Sequence, residues 1–130
     1  MKIGAILLLL FTLSCSVPAE KTVAVVNVTP EELNQLMAEE NVLVVDIRTA
    51  QEVTQGQIKD ALHFDFYDDN FAIQMGELPK DEPIALYCAS GKRSVRAATE
   101  LVEMGFLEVY DLQGGIQEWQ LAGFEIIRTE

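Results

Sequence analysis

From residue 24 onward, short apolar runs take turns with amphipathic stretches. The runs at 24–28, 42–45, 83–87 and 108–110 have the length of strands. Val42-Leu43-Val44-Val45 shows no polar alternation, which predicts a strand covered on both faces, as in a parallel sheet. Between the runs the period changes. Thr29-Pro30-Glu31-Glu32 carries a capping residue, a first-turn proline and an N3 glutamate, so a helix is predicted over 29–40 with Leu33, Leu36 and Met37 on its apolar stripe. Thr49 and Glu52 repeat the capping-box spacing for a short helix ending near Gly56. Residues 58–66 read as a loop with a short strand, in which His63 follows Ala61-Leu62 and is predicted to be packed.

Residues 67–80 predict a weakly specified helix with Phe71, Ile73 and Met75, ending at a turn marked by Gly76 and Pro79. A stronger helix is predicted over 95–104, with Val95, Ala98, Leu101 and Val102 on its buried side, Gly105 as its C-cap and Phe106 at its exit. Gly114-Gly115 opens a last helix whose apolar side holds Ile116, Trp119 and Leu121, and Gly123 ends it. Strands alternating with helices in this way predict an α/β domain over 24–128, a parallel central sheet flanked by helices on both faces.

Residues 1–19 stand outside that pattern. Lys2, the apolar stretch 3–13 and the small residues after it form an export signal, too short to span a bilayer comfortably. Thr12-Leu13-Ser14-Cys15 resembles a bacterial lipoprotein processing site, with Cys15 as the acylated first residue of the mature chain. Cleavage after Ser16 or Ala19 is the competing reading. Either route implies an exported bacterial protein, periplasmic or anchored as a lipoprotein, that meets the membrane only through an N-terminal lipid.

Charge then narrows the partners. With 21 acidic and 9 basic residues the net charge is −12, which argues against nucleic acid and against electrostatic docking on anionic lipid. Lys92, Arg93 and Arg96 nevertheless cluster, so a small anionic substrate is expected there. Cys88 is the one cysteine outside the leader, so no disulfide is expected within the domain. The single histidine, His63, with one cysteine outside the leader, argues against a metal site on ligand count.

The predicted strand at 83–87 leads into Cys88-Ala89-Ser90-Gly91-Lys92-Arg93-Ser94 and then into the helix. A loop between a strand and a helix N-terminus aims main-chain N–H groups into one bowl, and the helix dipole adds positive potential. Such surroundings lower a thiol's pKa and favour thiolate. Cys88 is therefore the candidate nucleophile, with Ala89, Ser90, Gly91, Lys92, Arg93 and Ser94 as candidate substrate-binding residues. An inert core cysteine is the bland alternative, and the adjoining Gly91, Lys92 and Arg93 weigh against it. Asp46, Arg48 and Glu52 read better as a supporting ion-pair network than as an acid/base set, since capping and pairing already account for them. Trp119 and the two glycines at 114 and 115 read as core and turn.

Three separate motifs together resemble a family. Asp46-Ile47-Arg48 with Glu52, Gly56, Ile58 and Ala61, then the Cys88 to Ser94 loop, then Gly114-Gly115 with Trp119 and Gly123, are similar to a single-domain rhodanese, a thiosulfate sulfurtransferase. Two positions depart from the family pattern: Gln57 stands where histidine is common, and Asp60 where glycine is common. The resemblance implies double displacement. Cys88 thiolate takes the outer sulfur of a donor such as thiosulfate, sulfite leaves, and a thiol, cyanide or protein acceptor removes the sulfur from the persulfide. Neither metal nor cofactor enters that chemistry. Main-chain amides from Ala89 to Arg93 are expected to hold the persulfide, with Lys92 and Arg93 attracting the donor and Ser90 and Ser94 offering hydroxyls. Two alternatives remain at this point: a non-catalytic persulfide carrier or binding module, and a cysteine phosphatase. The phosphatase loop has five residues between cysteine and arginine, whereas four separate Cys88 from Arg93.

Overall fold

A computed structural model of the chain describes Cys15 and residues 22–39 and 41–128. The predicted leader lies outside the described residues except for Cys15, which is exposed with a free thiol. In chain order the elements are β1 (Val25–Val28), α1 (Pro30–Glu39), β2 (Leu43–Asp46), α2 (Ala50–Val53), β3 (Leu62–His63), α3 (Phe71–Gly76), β4 (Ile84–Tyr87), α4 (Lys92–Glu103), β5 (Val109–Leu112) and α5 (Gly115–Leu121). The strands form one sheet in the order β1-β5-β4-β2-β3. Every pairing is parallel, as the unbroken apolar runs require.

The sheet divides the core in two. On one face Val45, Ile84 and Leu86 pack with Phe71 and Met75 of α3 and Ala97, Ala98 and Leu101 of α4. On the other, Val44, Ala85 and Tyr87 pack with Leu33 of α1 and Ile116 and Trp119 of α5. Alternate residues of a strand point to opposite faces, so β4, covered on both, is buried at all four positions. Each large apolar side chain so enclosed stabilises the fold by about 1.5–3 kcal/mol. Helices thus flank both faces of a parallel sheet, as the alternation of elements predicts.

Both capping boxes are present. Thr29 N–H donates to Glu32 Oε2 at 2.8 Å and Glu32 N–H returns to Thr29 Oγ1 at 3.2 Å. Thr49 and Glu52 make the same reciprocal pair at the start of α2. Gly105 follows the C-cap residue Met104 rather than occupying it, in the left-handed conformation that closes such helices. Asp60 sits at φ +61°, a left-handed position that aspartate tolerates better than most residues and that suits the glycine common there in the family.

Three expectations are corrected. The helix expected over 95–104 begins at Lys92, because polar residues fill its first turn and hide it from an apolar-periodicity reading. Its buried face is therefore Ser94, Ala97, Ala98 and Leu101, and Val95 is 49% exposed. Leu121, at the end of α5, is turned outward and 79% exposed. His63, expected to be packed, lies exposed on the short edge strand β3, where its Nε2–H donates to the Arg48 carbonyl at 2.7 Å.

The start of α5 fixes the loop that follows β4. Ile116 N–H donates to Cys88 O at 2.9 Å and Gln117 N–H to Ala89 O at 3.2 Å. This approach requires Gly115: a Cβ there lies 2.4 Å from Cys88 O and 2.6 Å from Ala89 O, at φ +62°. Gly115→Ala is expected to destabilise the fold by about 2–4 kcal/mol, from left-handed strain and overlap with the loop, measured by urea denaturation. Unchanged stability would show that the loop is not held from this side.

Candidate active site

Cys88 leaves β4 at the carboxyl end of the sheet's middle strand, the place where α/β sheets bind ligands. Gly91, at φ +95°, turns the chain so that α4 starts at once. That helix has no side chain capping its N-terminus. The sulfur fills the role. Gly91 N–H donates to Cys88 Sγ at 3.1 Å, and the N–H groups of Arg93 and Ser94 also bond it. Arg93 and Ser94 occupy the N2 and N3 positions, whose donors an N-cap oxygen ordinarily satisfies. Ser94 Oγ lies 3.6 Å from Sγ and 3.3 Å from the Gly91 carbonyl.

These contacts decide the thiol's acidity. Cys88 is buried, which alone pushes its pKa up. Hydrogen bonds from the Ser94 main chain and hydroxyl and from the Gly91 and Arg93 N–H groups outweigh burial, and the thiol falls below its ordinary value. Positive potential at the end of a helix of 12 residues acts in the same sense.

The remaining loop residues divide by position. Ala89 is half-buried, with its carbonyl on α5. Ser90 and Lys92 are exposed and line an open cleft of about 500 Å³ on the β5 side of the loop. Arg93 turns its guanidinium to Glu52, with Nη1 to Oε2 at 2.8 Å and Nη2 to Oε1 at 2.6 Å, and stacks over Tyr67 at 5.7 Å. Glu52 is accordingly held down at about 2, chiefly by Arg93, while Arg93 is held above its ordinary value. Glu52 thus joins two jobs: it caps α2 and ties that helix to the first turn of α4.

Asp46 and Arg48 form a second, fully enclosed pair. Arg48 Nε and Nη2 bond both oxygens of Asp46, at 2.9 Å to Oδ1 and 2.7 Å to Oδ2, and Nη2 reaches the Gly56 carbonyl at 2.6 Å. Tyr87, the residue before the cysteine, donates its hydroxyl to Asp46 Oδ2 at 2.7 Å and accepts from Ile58 N–H at 3.1 Å. Burial first and Asp46 second push the Tyr87 hydroxyl far above its usual range, so it stays a donor. Gln57 adds a longer bond to Asp46 at 3.4 Å from the position where histidine is common in the family. These groups bind the loop at 56–58 to β2 and β4.

Two residues of this region escaped the sequence reading. Tyr87 was legible only as a strand residue, since its partner is distant in the chain. Asp111 in β5 is buried beside Ser94, whose hydroxyl lowers the carboxyl pKa that burial raises, and its Oδ1 has no partner. A lone aspartate between Tyr110 and Leu112, at the carboxyl end of an apolar strand, was the available signal. Among the described residues no group of three or more His, Cys, Asp or Glu side chains is placed to hold a metal ion.

Comparison with known proteins agrees with this geometry. The model of the rhodanese-like domain matches residues 29–122. A protein from Allochromatium vinosum named sulfurtransferase is 43% identical over 101 residues, covering 77% of this chain and 92% of its own. The thiosulfate sulfurtransferase GlpE of Pseudomonas putida is 37% identical over 93 residues, covering 72% of this chain and 83% of its own. A crystal structure of a rhodanese-like domain protein from Staphylococcus aureus superposes with a TM-score of 0.69 at 26% identity, over 81% of this chain and 99% of that one. The match of the rhodanese-like domain over residues 29–122, with these relatives and this sheet, establishes that the chain belongs to the single-domain rhodanese family of sulfurtransferases.

Proposed function

We propose that this protein is an exported thiosulfate-type sulfurtransferase working through a Cys88 persulfide. The observation that carries the reading is the convergence of the Gly91, Arg93 and Ser94 N–H groups on Sγ. In the first half-reaction the thiolate attacks the outer sulfur of the donor. A new S–S bond forms, the donor's S–S bond breaks, and sulfite leaves with the electron pair. The persulfide's outer sulfur then carries the negative charge, and the same end of α4 offers it main-chain donors and the helix dipole. In the second half-reaction an acceptor nucleophile, such as cyanide or a thiol, takes that sulfur and returns Cys88 to thiolate.

Lys92, exposed on the cleft beside the loop, supplies positive charge for an incoming dianion within an acidic protein. Arg93 contributes its field and its main-chain N–H; its guanidinium hydrogen bonds already go to Glu52. That engagement, with the shorter loop, disfavours a phosphatase, which needs the arginine fork for phosphate. Export rests on the signal-like residues 1–19, with Cys15 as the site of acylation.

Purified reduced protein incubated with thiosulfate is expected to gain the mass of one sulfur atom and to form thiocyanate when cyanide is added. Cys88→Ser is expected to do neither. A mutant that still turns over, or phosphatase activity without sulfur transfer, contradicts the assignment, and a stable persulfide that no small acceptor discharges favours a carrier. For export, a fatty-acid label is expected on the full chain expressed in bacteria and absent after Cys15→Ala; label that survives the substitution, or none at all, overturns the lipid anchor.

A further inference from the structure

Asp111 is a buried carboxyl that the chemistry above does not use. It lies in β5, in register with Leu86 of β4 and Asn27 of β1, and is 1% exposed with Oδ1 unpartnered. Ser94 stands between it and the thiol. That hydroxyl carries one proton, which it donates to the Gly91 carbonyl at 3.3 Å, and two further groups beside it can compete for that proton: Cys88 Sγ, 3.6 Å away, once it is a thiolate, and the Asp111 carboxyl. One proton cannot serve all three.

We propose that Asp111 is a positioning residue for Cys88, its protonation state deciding which way the Ser94 hydroxyl points and hence how firmly that hydroxyl holds the sulfur anion. When Asp111 is ionised it competes for the Ser94 proton, and the sulfur depends more on its main-chain donors. When Asp111 is protonated its own O–H donates to Ser94 Oγ, and the Ser94 proton turns to the sulfur. No proton is lost; a chain of two hydrogen bonds reverses direction. Burial raises the Asp111 carboxyl to about 6 against the lowering effect of the Ser94 bond, which puts the reversal just below neutral pH. Around Asp111, Lys92 of α4 is the other formal charge lining the adjoining cleft, Asn27 and Gln113 are neutral, β4 presents Leu86, and Cys88 lies beyond Ser94.

The inference rests on Cys88 being the reacting thiol, yet its test needs no sulfur donor, so it can fail while sulfur transfer stands, or survive if the donor is misassigned. The rate of iodoacetamide alkylation is followed from about pH 4 to about pH 10 in the full chain, scoring the Cys88 peptide by mass so that Cys15 does not contribute. Wild type is expected to show a second inflection near pH 6 beside the thiol step, as coupled groups do. Asp111→Asn removes the charge and is expected to abolish that inflection and to lower the thiol pKa by about half to one unit. In a Ser94→Ala background the same substitution is expected to shift the thiol by less than half as much. No shift on Asp111→Asn, or an equal shift with and without Ser94, overturns the relay. Should the substitution prevent folding, carboxyl NMR of aspartate-labelled wild type decides. A resonance titrating near pH 6 whose midpoint moves on alkylation of Cys88 supports the relay, and its absence overturns it.

Discussion

A sulfur atom stands where a helix ordinarily keeps a capping oxygen, and the site follows from that substitution. Helix α4 begins with donors that no side-chain oxygen satisfies, and Cys88 Sγ accepts those of Arg93 and Ser94 together with that of Gly91. An uncapped helix end costs about 1 kcal/mol, so the fold and the thiolate stabilise one another. The more negative the sulfur, the better the cap. The same donors can receive a persulfide anion after sulfur arrives, which is why one geometry serves both halves of a double displacement.

Holding that geometry takes neighbours on both sides of the loop. From one side, Gly115 lets α5 bring its first N–H groups onto the carbonyls of Cys88 and Ala89. From the other, Glu52 ties the short helix α2 to Arg93 in the first turn of α4. Beneath, Asp46, Arg48 and Tyr87 close a buried network at the carboxyl ends of β2 and β4. Each of its polar groups has a partner, which is what makes a buried network of this kind tolerable. The loop is thereby preorganised, and little rearrangement is left for the reaction to require.

Much of this was legible in the residue order, and the reasons differ from place to place. Cys88 and its loop are consecutive, so local chemistry reveals them; the capping boxes at Thr29 and Thr49 are local too. Asp46 and Arg48 are two apart, and their pairing follows from spacing. Tyr87 with Asp46, Arg93 with Glu52 and Ser94 with Asp111 are contacts made by the sheet, and no spacing announces them. Val95 and Leu121 misled because periodicity weighs an apolar residue as buried, whereas α4 starts three residues before the first apolar one and Leu121, the last residue of α5, faces outward. His63 misled in the same way, since β3 is a two-residue edge strand with little to cover it.

The helix-capping account makes the acidity of one thiol its direct consequence, apart from any substrate. The decisive measurement is the ionisation of Cys88, followed by thiolate absorbance with Cys15 replaced by serine, in the native protein and again in denaturant. The account predicts a native pKa below that of the unfolded chain, which should lie near the ordinary thiol value of about 8.5. A native value equal to or above the unfolded one would mean that burial outweighs the amides, and would contradict it.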